Sequence, residues 1–243
     1  MAHIGVLDVL EREGFPVRYI AGTSAGSIIG ALYAAGLKPA EIARIASRTR
    51  WRDLLRPVIP RHGLVATTRM DEYLRGIIGN RTFADLRIPL VAVACDLVTG
   101  EEVLLSEGDV CLAVRASSAV PGIFTPVEIG GRLLIDGGVC NNVPCSVVRR
   151  MGADVVVAVD VNAKAGAGQA PVNVLQVITA TIQIMQRANI LKELAEADLV
   201  IEPDLADLSL FDLDVAEEFI QRGREAALAA VPGLRSLLQS NAT

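Results

Sequence analysis

Apolar and polar residues run along this chain in two kinds of stretch, and the two kinds take turns. From Ala2 to Glu13, Ile4, Leu7 and Leu10 recur at helical spacing with charges between them. That pattern predicts an amphipathic helix, ended by Gly14 and Pro16. Val17 to Ala21 is a short β-branched and aromatic run, fit for a buried strand. Ser27 to Leu37 is a small-residue apolar stretch of helical character, closed by Gly36 and Pro39, and Pro39 to Ala46 reads as the next helix. Residues 51–70 carry Pro57, Pro60 and Gly63 and show no period. A flexible segment lying over the functional site is expected there.

The same rhythm continues. Arg69 to Gly79 reads as a helix and Pro89 to Asp96 as a buried strand, with Glu101 to Leu105 turning back on it across Thr99-Gly100. Asp109 to Ser117 is a helix. Val127 to Ile129 and Arg132 to Ile135 flank Gly130-Gly131, a hairpin signal. Pro144 to Met151 has proline in its first turn, as a helix start allows. Asp154 to Val161 is a continuous apolar run, typical of a strand covered on both faces. Ala163 to Gln169 is a Gly/Ala loop whose G-x-G lacks the rest of a dinucleotide fingerprint. A long helix over Val172 to Ala197, a short strand over Leu199 to Glu202 and a closing helix over Val215 to Ala230 complete the chain. Helices alternating with strands predict one α/β domain over residues 1–243, three layers deep, with a mostly parallel sheet between helices.

Composition narrows what such a domain does. Half of the 243 residues are apolar but only 4% are aromatic, so Ala, Val, Leu and Ile carry the core. A net charge of −5 argues against a nucleic-acid partner. The small basic patch of Arg48, Arg50, Arg52 and Arg56 reads as a solvated face or as a contact for anionic lipid head groups. Tyr19 to Leu37 is uncharged and long enough to span a bilayer, but its glycines, serines and threonine suit a strand, turn and helix instead. No secretory leader is seen, and a cytoplasmic location is expected. Cys95, Cys111, Cys140 and Cys145 show no C-x-x-C spacing. No metal is expected, and four reduced thiols are the default.

The candidate chemistry sits in Gly22-Thr23-Ser24-Ala25-Gly26. These residues fit G-x-S-x-G, the turn that lifts a serine from a strand end onto a helix start. Gly22 and Gly26 are read as steric necessities of so sharp a fold. The hydroxyl of Ser24 then lies at a helix N-terminus, which favours developing negative charge, and Ala25 offers the N–H after the nucleophile. A serine needs a base. The two histidines, His3 and His62, fit no Ser-acid-His order and read as structural or exposed. Asp136, in Asp136-Gly137-Gly138, follows a strand end, where α/β sheets place their chemistry. A plain Asp-Gly turn is the alternative reading of that position.

Together these blocks resemble the patatin-like phospholipase family, in particular its small bacterial members related to neuropathy-target-esterase domains. Ala2-His3-Ile4-Gly5-Val6-Leu7 is similar to the start of the family's first helix. The block around Ser24 is similar to its nucleophile elbow, and Ala116-Ser117-Ser118-Ala119-Val120-Pro121-Gly122 to its Ala-Ser…Pro segment. Asp136-Gly137-Gly138 with Asn141-Asn142-Val143-Pro144 is similar to its Asp-Gly-Gly/Ala block, and residues 197–204 fit the small bacterial members. The blocks stand in family order over most of the chain.

The resemblance implies a Ser24–Asp136 dyad without histidine and an acyl hydrolase of phospholipids, lysophospholipids or similar lipids. It implies a role in lipid breakdown, with no cofactor and with peripheral contact to the membrane. A dry pocket would raise the Asp136 pKa and make it a better base. Apolar residues of the 51–68 loop and of the helix Val172 to Leu194 are candidates for an acyl pocket as well as for plain core. The family's Gly-rich oxyanion loop and first strand would precede Ala2 and are absent, so the chain reads as N-terminally truncated: Met1 is an internal methionine of a longer protein, the favoured explanation because every downstream block is intact, or the chain is a truncated and feebly active relative. Reading the coding sequence upstream of Met1 tests that expectation. Two alternatives stand beside the hydrolase: a catalytically impaired lipid-binding or regulatory module, and an esterase or thioesterase on soluble acyl chains.

Overall fold

The central strand of the molecule is buried along its whole length. It is β4 (Leu90–Asp96), seven residues without an exposed side chain, and it explains the layering. Leu90 and Ala92 face one way, into the main core cluster with Ile29, Leu32, Leu74 and Val114. Val91 and Val93 face the other way, against Val147. A strand buried on both faces needs a continuous apolar run, and the sequence supplies one.

The computed structural model describes residues 1–54, 56–57, 65–66, 68–163, 174–208 and 213–240. In chain order its elements are α1 (Ala2–Arg12), β1 (Ile20–Thr23), α2 (Ala25–Ala34), α3 (Pro39–Arg48), α4 (Trp51–Leu54), β2 (Arg56–Pro57), β3 (Val65–Ala66) and α5 (Thr68–Ile78). After β4 come β5 (Glu102–Leu105), α6 (Val110–Ser117), β6 (Val127–Ile129), β7 (Arg132–Asp136), α7 (Cys145–Arg150), β8 (Val157–Val159), α8 (Val174–Leu194), β9 (Leu199–Ile201) and α9 (Ala216–Ser240). Helices cover both faces of the central sheet, a three-layer α/β arrangement. The middle of the proline-rich stretch, with His62, and most of the Gly/Ala loop lie outside the described residues.

The mostly parallel sheet is corrected to a mixed one. β1 runs parallel to β4, but β5 and β7 run antiparallel to it, and β6 is antiparallel to β7. The reason is local. The turn at Thr99-Gly100 returns the chain at once, and Gly130 and Gly131 take positive φ, 58° and 77°, as a tight hairpin requires. Among the described residues the apolar run from Asp154 does not join this sheet, and β8 pairs in parallel with β9.

The cysteine expectation is also corrected. Cys95 on β4 and Cys140 form a disulfide, while Cys111 and Cys145 are free and buried. The bridge ties the segment after β7 to the central strand.

α1 packs against α9 more closely than side chains allow. A Cβ on Gly5 would meet the Ile220 carbonyl, and one on Gly223 would meet the Ala2 carbonyl. Asp8, nearly buried, joins the pair by accepting from Arg224 at 2.8 Å. Gly5→Ala and Gly223→Ala are each expected to cost about 3 kcal/mol through overpacking. Urea unfolding checks this, and a loss below about 1 kcal/mol would contradict the packing. α9 continues past the expected stop at Ala230, through Pro232. The carbonyl that proline leaves without a donor belongs to Leu228, an exposed residue, and buried Leu234 anchors the far half.

Candidate active site

Three strands bring the site together. In β1, Thr23 pairs with Val93; in β7, Asp136 pairs with Ala94. Val93 and Ala94 are neighbours on β4. The chain leaving β1 and the chain leaving β7 therefore flank the same point of the central strand, although they are more than a hundred residues apart in sequence.

Ser24 lies at the turn out of β1 with φ 52° and ψ −122°. Among the described residues it is the only non-glycine with positive φ. Such a backbone costs of order 1–3 kcal/mol and persists only where neighbours hold it. The neighbours are visible. The Ser24 N–H donates to the Ser117 hydroxyl at 3.0 Å and to the Ser117 carbonyl at 3.2 Å. The Ser27 hydroxyl donates to the Ser24 carbonyl at 2.7 Å, and the Thr23 hydroxyl to the Asn141 carbonyl at 2.8 Å. Gly22 has the steric role expected of it, since a Cβ there would stand 2.7 Å from the Gly26 carbonyl. Gly26 does not: its Cβ would meet only the His3 ring, at 3.8 Å. Ala25 and Gly26 open α2, where N–H groups have no partner within the helix.

Asp136 ends β7 and is 6% exposed. Its N–H donates to the Ala119 carbonyl at 2.9 Å, and its Oδ1 accepts from the Gly138 N–H at 2.8 Å. The Ser24 side chain lies near enough to its carboxyl to lower the carboxyl's pKa. Burial pushes that carboxyl up to about 6, and the neighbouring Ser24 side chain and the Gly138 N–H hold it from going higher. Gly137 is needed where it stands because a Cβ would run into the Val93 carbonyl. Gly138 is crowded too, with Gln186 Nε2 3.0 Å from the Cβ position. Segment 117–119 thus clamps both ends of the pair, Ser117 on Ser24 and Ala119 on Asp136.

Both side chains line a cavity of about 660 Å³. Trp51, Leu54, Tyr73, Phe124 and Ile182 are among its apolar walls. Trp51 and Leu54, at the start of the proline-rich stretch, and Ile182 and Gln186 of α8 thus face the cavity that holds Ser24 and Asp136. His3, read from sequence as structural or exposed, lines the cavity as well. Burial, with the nearby chain amine, holds its imidazole down to about 3, so it is neutral, and its Nδ1 has no hydrogen-bond partner among the described residues. Sequence gave no signal for Gln186 or for the clamp by Ser117. The basic patch is partly neutralised: Arg50 pairs with Asp214 at 3.2 Å and Arg52 with Asp53 at 3.9 Å.

The family model for patatin-like phospholipase matches residues 1–149. The chain belongs to the patatin-like phospholipase family. An uncharacterized NTE family protein of Mycobacterium tuberculosis is 38% identical over 164 residues, covering 66% of this chain and 45% of that protein. A second one from the same organism is 29% identical over 266 residues, covering 98% of this chain and 46% of its own length. Patatin-like phospholipase domain-containing protein 6 of Mus musculus is 34% identical over 178 residues, 67% of this chain and 13% of the mouse protein. The chain spans less than half the length of these relatives. The matched region of the patatin-like phospholipase model holds both Ser24 and Asp136.

Proposed function

We propose that this patatin-like phospholipase family member is a serine acyl hydrolase of lipid esters that works with a Ser24–Asp136 dyad. The observation that carries the reading is a strained serine, at φ 52°, beside a buried carboxyl whose pKa lies near 6, the two lining one largely apolar cavity. Membership of the family supports the lipid class.

The chemistry follows from the geometry. Ser24 Oγ attacks the ester carbonyl carbon while its proton passes to Asp136. Negative charge gathers on the carbonyl oxygen, and the Ala25 N–H at the start of α2 faces it. Asp136 then gives the proton to the departing alkoxide, leaving an acyl group on Ser24. Water attacks that acyl group, with Asp136 taking one of its protons, and the fatty acid leaves as Ser24 regains a proton. A carboxyl near pKa 6 suits both directions better than an ordinary one, because it is ionised at neutral pH yet basic enough to accept. The step needs no imidazole in contact with Ser24.

The test compares short p-nitrophenyl esters with phospholipid and lysophospholipid dispersions. Release of fatty acid from the lipids, lost on Ser24→Ala, is the expected result. Cleavage of the short esters alone would make the protein an esterase on soluble chains. Lipid binding with no cleavage of either substrate would make it a silent module.

A further inference from the structure

α8 is apolar on two opposite faces. At 3.6 residues per turn, Val177, Ile184 and Leu191 fall within about 20° of one line along the helix. All three are exposed, Ile184 to 76%, and Met185, about 100° round the helix from Ile184, to 72%. The opposite face carries Ile178, Ile182, Gln186 and Ile190. That face packs inward: Ile178 lies over Gly122, Gln186 over Gly138, and Ile190 is buried. Ile182 and Gln186 line the cavity that holds Ser24 and Asp136. A helix buries an apolar face against a partner, yet here one of the two apolar faces is open.

The charges on α8 say what covers it. Its one carboxylate, Glu193, turns inward and accepts from the Ser146 N–H at 2.9 Å and the Ser146 hydroxyl at 3.0 Å. The ionisable groups left exposed on the helix, Arg187 and Lys192, are both cationic. They flank the apolar line, about 60° to one side and about 80° to the other. On a chain of net charge −5, a greasy stripe between two cations is a local exception. It matches an anionic lipid surface, whose acyl region takes the stripe while the head groups meet the cations. The patch extends beyond the helix. Asn189 donates to the Cys140 carbonyl at 3.3 Å, and Cys140 Sγ sits 3.3 Å from the Gly100 carbonyl, on the turn that carries Val98, 80% exposed.

We propose that the outer face of α8, Val177, Ile184, Met185 and Leu191 with Arg187 and Lys192, docks the protein on an anionic lipid surface. The helix then lies in the interface with its inner face as a wall of the cavity, so a lipid ester enters beside the dyad. This deepens the lipid-ester reading above and rests on it, but docking itself needs no turnover.

The experiment uses the full chain with Ser24→Ala, mixed with vesicles of phosphatidylcholine containing phosphatidylglycerol, and with vesicles of phosphatidylcholine alone. Co-sedimentation with the anionic vesicles, several-fold above the neutral ones, is expected. Ile184→Glu/Met185→Glu/Leu191→Glu should lower binding at least about tenfold, and Arg187→Gln/Lys192→Gln about tenfold or more on anionic vesicles only. Melting temperature and far-UV circular dichroism should stay at the parent values, as should short-ester cleavage when Ser24 is present. Protein left in the supernatant with anionic vesicles, or binding unmoved by the glutamates, overturns the proposal. So does a dimer that the glutamates split while no vesicle binding is seen, for then a second copy covers the face. Vesicle binding without ester cleavage supports the docking face and contradicts the hydrolase reading.

Discussion

Ser24→Ala should lower ester hydrolysis by at least about 10⁴-fold, because removal of a nucleophile leaves only binding and the oxyanion donor. Protein abundance and melting should hardly change, since the hydrogen bonds that fix this turn use backbone groups of residue 24, not its hydroxyl. The backbone gives a second, independent readout. Alanine keeps a Cβ at φ 52°, whereas glycine is at ease there. Ser24→Gly should therefore be as inactive as Ser24→Ala but about 1–2 kcal/mol more stable than it. Urea unfolding of the two variants measures the difference. Equal stability would mean that the serine is not held in a strained turn.

Asp136→Asn should lower kcat/KM by about 10³-fold or more, the loss expected when a general base goes while its shape remains. In the parent protein kcat/KM should rise with pH through about 6 and then level off, because the carboxyl acts only when ionised. The same pKa fixes the sign of the stability effect. The folded value, about 6, lies above the ordinary 3.8. The neutral carboxyl is thus favoured by the fold; its stabilisation is complete below about pH 3.8 and is lost as pH rises through about 6. Above pH 6 the native protein carries a buried charge. Asp136→Asn should then be roughly 2–3 kcal/mol more stable than the parent at pH 8 and equal to it at pH 3. Denaturant melts at the two pH values check it. His3→Gln is the control: neutral and not bonded to Ser24, His3 should cost less than about tenfold in rate, and its loss should leave the pH profile in place.

The parts of this site that sequence reveals are those fixed by short-range sterics. Gly22 and Ser24 were legible because a strand-to-helix turn this sharp leaves few residue types to choose from, and a Cβ at Gly22 does meet the backbone of Gly26. β4 was legible because burial on both faces demands an unbroken apolar run. The hairpin at Gly130-Gly131 was legible from its turn residues. What stayed hidden depends on contacts distant in sequence. The direction of β7 against β4 follows from how the hairpin docks, which no local pattern encodes. The Cys95–Cys140 bridge spans 45 residues without a spacing motif. The run from Asp154 looked like a central strand by composition, yet among the described residues it pairs only with β9. That the His3 ring lines the cavity was not legible either, because nothing in Ala2-His3-Ile4 says which way the ring turns.

The proposed hydrolysis turns on one chemical event, a covalent acyl bond formed at Ser24 with Asp136 as its base. Mass spectrometry after reaction with a fluorophosphonate probe tests it most directly. The predicted result is a single adduct per chain on the peptide containing Ser24, absent in Ser24→Ala and formed far more slowly in Asp136→Asn at pH 8. An adduct on any other residue, ester cleavage with no adduct at all, or Asp136→Asn labelling as fast as the parent protein would contradict the account.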